Sequence, residues 1–150
     1  MKVGIIRCQQ TEDLCPGTGD FAAVEKKSGA FETLGDCTIV GFVSCGGCPG
    51  SKAIARAQAL MDRGAQAIAL ATCITKGNPD GFPCPNRDSI LQALRKKCKE
   101  VSVLEYTHGG FPISKAWLLA VEGGLFSVSH TPKRRMARPA SKGTADGIVY

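Results

Sequence analysis

A chain of 150 residues has the length of a single globular domain and can bury a hydrophobic core without help from disulfide bonds. Hydrophobic residues make up 43% of the chain and charged residues 21%, which excludes wholesale disorder. No apolar run approaches the roughly 20 residues of a membrane-spanning helix, and the first residues lack the apolar stretch and cleavage site of a signal peptide. We therefore expect a cytoplasmic protein with no membrane partner.

The net charge of +6 is concentrated towards the C-terminus. Residues 1–112 carry 13 Lys and Arg against 11 Asp and Glu, whereas residues 113–150 carry 6 against 2. A basic segment can bind phosphates non-specifically, but this one lacks the interleaved aromatic residues of a single-strand binder. We interpret 113–150 as an extension of the domain, with 130–150 basic and disordered, and we do not expect nucleic acid as a partner.

Four continuously apolar runs alternate with three segments of helical spacing. Continuous rather than alternating hydrophobicity indicates strands covered on both faces, and right-handed crossovers then give a parallel sheet. We predict a three-layer α/β domain over residues 1–112, flavodoxin-like or Rossmann-like, with about four strands and helices on both faces. In chain order the predicted elements are strand Val3–Cys8, a helix near 21–34 capped by Asp20, strand Thr38–Val43, a helix from Ala53 to Gly64, strand Ala67–Ala71, a helix over 90–98 and strand Val101–Leu104.

Eight cysteines stand out in a chain that we expect to keep its thiols reduced. Because the carboxyl ends of parallel strands meet along one edge of the sheet, the predicted strands sort these residues by edge. Cys37 and Cys98 fall at the opposite edge and are interpreted as packing residues. The candidates at the carboxyl edge are Cys8, Cys15, Cys45, Cys48, Cys73, Cys84 and His108. We predict a metal site formed by Cys45, Cys48 and Cys73 with one or more of Cys8, Cys84 and His108.

The loop from Ser44 to Lys52 carries the sharpest local pattern. Two residues between Cys45 and Cys48 allow both thiols to face one ion, and glycine at the intervening positions leaves room for the turn. The helix that follows presents free amides and a positive dipole end, which favour a thiolate. The same spacing serves zinc, iron–sulfur clusters and disulfide exchange, so the spacing alone leaves all three open.

The segment Cys45–Gly50, placed after an apolar strand, resembles the signature of the CGGC domain, a small prokaryotic family proposed to bind metal. The resemblance covers about residues 1–110. It implies a metal-binding domain with zinc as the expected ion, and it implies no reaction. The stretches that support it are Val3–Cys8, Cys15–Thr18, Gly29–Phe31, Cys84-Pro85 and Thr107-His108.

Three functions follow from these patterns. We favour a metal-binding protein that holds zinc, or an iron–sulfur cluster, through cysteine thiolates, since thiolate-rich sites disfavour magnesium and calcium. Seven candidate ligands exceed the four of a structural zinc, so a second ion, a cluster or thiols kept for metal transfer stay open. The second function is a thiol–disulfide oxidoreductase in which Cys45 attacks and Cys48 resolves the mixed disulfide. The third is a basic protein that binds nucleic acid through its C-terminal segment.

Overall fold

A computed structural model describes residues 1–109, which form an α/β domain with a four-stranded parallel sheet. The predicted extension at 113–150 lies outside the described residues. The strands are β1 (Lys2–Arg7), β2 (Thr38–Ser44), β3 (Ala67–Leu70) and β4 (Ser102–Leu104). The helices are α1 (Thr18–Glu25), α2 (Lys52–Met61), α3 (Thr72–Thr75) and α4 (Arg87–Lys97), with one 3-10 turn at Gly29–Phe31. No helix within residues 1–109 is long and apolar enough to cross a bilayer.

The strands lie in the order β2-β1-β3-β4, and every neighbouring pair is parallel. This is the beginning of the flavodoxin-like order rather than of the Rossmann order, in which the third strand lies outside the second. In this order β2 lies on one flank of β1, and β3 lies on its other flank. The carboxyl ends of β1 and β3 therefore lie beside the point where the strand order reverses, which is the usual ligand site of such sheets.

Consecutive residues of β2 show that the sheet is covered on both faces. The ring of Phe42 packs on Phe21 of α1, with 5.0 Å between the ring centroids. A Cβ atom on Gly41 would stand 2.3 Å from Cδ2 of Leu60 in α2, so this glycine admits α2 close to the opposite face. Since neighbouring residues of a strand point to opposite faces, α1 and α2 form separate layers, and α4 packs beside α2. The predicted three-layer fold is confirmed.

The core is centred on β1 and β3, the two inner strands. Val3, Ile5, Ile6, Ile68 and Leu70 are completely buried. Each such side chain contributes roughly 1.5–3 kcal/mol by leaving water. This packing fixes the two strands whose carboxyl ends carry the candidate site.

Two elements differ from the sequence prediction. The weak helical pattern near 21–34 is a helix that already begins at Thr18 and ends at Glu25, followed by the 3-10 turn, because Ser28 is extended and breaks the helix before that turn. Gly17, not Asp20, occupies the N-cap position, so Asp20 lies inside the first turn of α1. The four-residue helix α3 directly follows β3 and was not predicted.

Candidate functional site

The carboxyl end of β1 joins the ends of β2 and β3 through hydrogen bonds that involve cysteine residues. The backbone N–H of Cys8, the first residue after β1, donates to Sγ of Cys73 over 3.2 Å. The backbone N–H of Cys45, the first residue after β2, donates to the carbonyl of Arg7 over 2.7 Å. Three of the predicted site residues are thereby held at one edge of the sheet.

Electrostatic effects on Cys8 identify two further neighbours. Burial raises the pKa of the Cys8 thiol above 9.0, and the thiols of Cys45 and Cys84 raise it further because like charges repel. Hydrogen bonds from the backbone of Gln10 and Thr11 oppose this effect and lower the pKa. We call the residues Cys8, Cys45, Cys73 and Cys84 the thiol cluster. Cys8 is its centre, since it interacts with each of the other three.

Cys73 has a similar environment. Burial raises the pKa of its thiol above 9.0, while the backbone of Cys8 and the Thr11 hydroxyl lower it by hydrogen bonding. The nearby carboxyl of Asp20 raises the pKa, as does the Cys8 thiol. The thiols of Cys8 and Cys73 therefore combine burial, which favours the neutral form, with hydrogen-bond donors that favour the anion.

The thiol cluster offers a thiophilic cation ligands of the right kind and number. Four cysteine sulfurs are the ligand set of a structural zinc, and hydrogen-bond donors directed at the ligand sulfurs are usual around a metal site. Within residues 1–109, no three His, Cys, Asp or Glu side chains already lie at the spacing of a common ion. Coordination therefore requires the thiols to draw closer together.

Cys48 lies outside the thiol cluster, in the turn that precedes α2. Its side chain is exposed, whereas Cys45 is only 5% exposed. Cys15, in the loop after β1, is half-buried. The turn lies against the loop that follows β1, because a Cβ atom on Gly47 would stand 3.5 Å from Oε1 of Gln9. The thiols of the Cys45–Cys48 pair thus occupy different depths of the site.

His108 packs on the first turn of α1. Its Nε2 lies 3.8 Å from Oδ1 of Asp20, and a Cβ atom on Gly19 would stand 2.8 Å from the same nitrogen. The predicted site residues therefore divide into the thiol cluster, the exposed Cys48, and His108 beside Asp20. Cys37 and Cys98, which precede β2 and β4, lie at the amino end of the sheet.

A buried polar group that the sequence pattern did not indicate lies beside the thiol cluster. Asp20 is 1% exposed and accepts a hydrogen bond from the hydroxyl of Thr107. Thr107 Oγ1 in turn accepts from the backbone N–H of Thr72 over 3.1 Å, and the Thr72 hydroxyl donates to the carbonyl of His108 over 2.8 Å. We call Asp20, Thr72, Thr107 and His108 the Asp20 network. In the sequence, an acidic residue near the start of a helix indicates an N-cap. Nothing in the pattern indicated that Asp20 would be buried.

Burial raises the pKa of the Asp20 carboxyl above 3.8, although Thr107, His108 and Arg7 each act to lower it. Arg7 ends β1, and its guanidinium lies 5.8 Å from the centroid of the Phe42 ring. Its Nε and Nη2 atoms are buried and have no hydrogen-bond partner among residues 1–109. Asp20 and the half-buried Arg7 thus place an acid and a cation next to the cysteines at the carboxyl edge.

A small parallel α/β domain with cysteines gathered at its carboxyl edge is the class that this geometry defines. The model of the CGGC domain matches residues 2–108, and the chain belongs to the CGGC domain family. A protein of Methanocaldococcus jannaschii, described as uncharacterized, is 40% identical over 116 residues, which cover 72% of this chain and 87% of that protein. No solved structure matches the chain. The family is cysteine-rich, and the activity proposed for it is metal binding.

Proposed function

We propose that this protein binds a thiophilic metal ion, zinc in the first instance, through the thiol cluster. The observation that carries the proposal is the hydrogen bonding around two buried sulfurs. The backbone N–H of Cys8 donates to Cys73 Sγ at 3.2 Å, and the backbone of Gln10 and Thr11 donates to the Cys8 thiol. Such donors stabilise an anionic sulfur far more than a neutral one.

Burial favours the neutral thiols, whereas the hydrogen-bond donors favour the thiolates. A bound cation would tip this balance towards the thiolates. Burial raises the pKa values of Cys8 and Cys73, so both thiols keep their protons at neutral pH when no cation is near. A bound metal ion stabilises the thiolates directly and releases those protons. The hydrogen-bond donors around the two sulfurs then stabilise the thiolate form, which is the form that they favour.

The proposal assigns four of the predicted residues to the ligand shell. Cys8, Cys45, Cys73 and Cys84 supply the sulfur ligands, a number that suits tetrahedral zinc. Cys48 is exposed and is not assigned to this shell. His108 is not assigned to it either, because its ring lies beside the carboxyl of Asp20. An iron–sulfur cluster uses the same four-thiolate donor set and is the alternative occupant.

Zinc analysis of the reduced full-length protein tests the proposal. We expect about one zinc per chain from a four-cysteine site. We expect the metal to be lost in Cys8→Ser and in Cys84→Ser, because each removes a sulfur of the thiol cluster. Cys37→Ser is the matched control at the amino end of the sheet and is expected to keep the metal. Circular dichroism checks that the variants fold.

Two outcomes would overturn the proposal. One is a folded, reduced wild-type protein that takes up no zinc and no iron. The other is full zinc retention in the folded double variant Cys8→Ser/Cys84→Ser. A visible absorption band with stoichiometric iron would instead identify the cluster as the occupant of the same thiols.

Thiol–disulfide exchange is less well supported by the geometry. That chemistry needs an attacking thiolate within reach of a substrate disulfide. The sequence predicts Cys45 as the attacking thiol, but Cys45 is buried and Cys48 is the exposed member of the pair. An oxidoreductase built on this pair would have to attack through Cys48.

A further inference from the structure

Two hydrogen-bond donors of Arg7 lack an acceptor in the described part of the chain. Arg7 is the last residue of β1 and is half-buried, and its Nε and Nη2 atoms are shielded from solvent with no partner among residues 1–109. A guanidinium stays charged in proteins, so it cannot adapt to burial by losing a proton. Because a buried charged donor without an acceptor is costly, such a group indicates a place where an ion or a ligand binds.

The two donors lie on the same edge of the guanidinium. Nε and Nη2 are bonded to one carbon, and on this edge their N–H bonds run nearly parallel. Such an edge binds two oxygens of one carboxylate or one phosphate through a pair of parallel hydrogen bonds. A single oxyanion would therefore satisfy both donors of Arg7 at once.

The carboxyl of Asp20 is close to Arg7 but is engaged elsewhere. It accepts a hydrogen bond from the hydroxyl of Thr107, and its Oδ1 lies 3.8 Å from Nε2 of His108. Burial raises the pKa of Asp20 and so favours its neutral form, although the charge of Arg7 acts to lower that pKa. Within residues 1–109, the positive charge of Arg7 is thus left without an acidic partner at Nε and Nη2.

The start of α1 adds positive potential near the guanidinium. Cζ of Arg7 lies 5.8 Å from the centroid of the Phe42 ring, and a Cβ atom on Gly17 would stand 2.5 Å from Cζ of the same ring. Gly17 is the N-cap residue of α1 and has no side chain that could cap the first N–H groups of the helix. The guanidinium and the helix start therefore border one ring, and both favour a negative charge there.

We propose that Arg7 anchors an oxyanion-binding site at the carboxyl end of β1, beside the Phe42 ring and the start of α1. The ligand is a small molecule with a phosphate or carboxylate group, and two oxygens of that group accept from Nε and Nη2. This end of β1 adjoins the reversal of the strand order, where parallel sheets usually bind ligands. Cys8 directly follows Arg7, so the anion would lie at the edge that carries the thiol cluster. The donors belong to Arg7 and α1, and the site does not depend on metal binding.

Heteronuclear NMR of the arginine side chains in the reduced full-length protein tests the site. We expect sodium phosphate or sodium acetate to shift the Nε–H signal of Arg7 in a saturable way. Sodium chloride at the same ionic strength should leave this signal in place. The signal is identified by its loss in Arg7→Lys, and the anion that saturates it at the lower concentration distinguishes a phosphate ligand from a carboxylate ligand.

Isothermal titration calorimetry with the tighter-binding of the two anions compares variants. Arg7→Lys keeps the charge but loses the parallel pair of donors, so we expect the affinity to fall by about tenfold or more. Arg56→Lys is the matched control, because Arg56 is also half-buried at this edge and its Nη1 already donates to the carbonyl of Ser44 over 2.7 Å. It should bind the anion as the wild type does.

Two results would overturn the oxyanion site. One is a wild-type Arg7 signal that shifts saturably with neither phosphate nor acetate. The other is a folded Arg7→Lys, checked by circular dichroism, that binds the anion with wild-type affinity. If Arg7→Lys does not fold, the NMR titration of the wild type decides, with the Nε–H signal of Arg56 as the internal reference that should not move. A failure of zinc binding would leave all of these expectations unchanged.

Discussion

Burial sets the protonation of individual residues at the carboxyl edge of the sheet. It raises the pKa values of Cys8 and Cys73, and it does the same for Asp20 in the neighbouring network. The thiols have hydrogen-bond donors that would suit a negative charge, whereas Asp20 receives one hydroxyl bond, from Thr107. A cation at the thiols would therefore also lower the cost of ionising Asp20, since opposite charges attract.

Asp20 gives the fold a pH dependence of known sign. Its pKa in the folded protein lies above the unfolded value near 3.8, so folding favours the neutral carboxyl. The stability that this contributes is complete below the unfolded pKa and is lost as the pH rises through the folded pKa. Asp20→Asn removes the titration. We expect the unfolding free energy of the wild type, relative to that of Asp20→Asn, to fall as the pH rises from acid to neutral.

Urea denaturation of metal-free wild type and Asp20→Asn over this pH range is the measurement. Thr107→Val is a useful companion variant, because it removes the hydroxyl that holds the carboxyl while leaving the acid in place. A free-energy difference between wild type and Asp20→Asn that stays constant, or that rises with pH, would contradict the environment described for Asp20.

At the scale of elements, the 3-10 turn is anchored to the chain that leaves β4. The N–H of Ala30 donates to the carbonyl of Thr107 over 3.1 Å. Gly29 has a φ of +63°, and a Cβ atom there would stand 2.5 Å from the same carbonyl oxygen. This contact holds the segment that supplies Thr107 and His108 to the Asp20 network.

Gly29→Ala is expected to destabilise the protein by about 2 kcal/mol or more, through backbone strain and collision with a backbone oxygen. Gly35→Ala is the matched control, since Gly35 has a φ of +70° but no atom of the described part of the chain lies within 4 Å of its Cβ position. It should cost about 1 kcal/mol, the strain alone. Chemical denaturation measures both. Equal losses in the two variants would show that the turn does not press on Thr107.

The sequence predicts the four strands from their apolar runs and the longer helices from their spacing, but it misses the four-residue helix α3. Strands β1 and β3, and helices α2 and α4, lie where apolar runs and helical spacing place them. Helix α3 has four residues, too few to show a periodicity, although it carries Cys73. The first helix is shorter than its pattern. The burial of Asp20 depends on which face of α1 is covered. That face contacts Thr107, which is far away in the sequence, so local periodicity does not predict it.

At the scale of the whole domain, strand order brings distant cysteines together. The order β2-β1-β3-β4 sets the ends of β2 and β3 on either side of β1, so Cys8 lies between Cys45 and Cys73. Parallel topology makes this edge predictable from sequence. The depth of each thiol is not predictable in the same way, because the turn after Cys45 directs Cys48 outward and the packing of α1 holds His108 beside Asp20.

Zinc K-edge X-ray absorption of the zinc-loaded full-length protein measures the ligand atoms directly. We predict a ligand shell dominated by sulfur at about 2.3 Å from the zinc, unchanged in Cys37→Ser. A shell made only of nitrogen and oxygen at about 2.0–2.2 Å would contradict the claim that cysteines from separate strand ends hold a common ion.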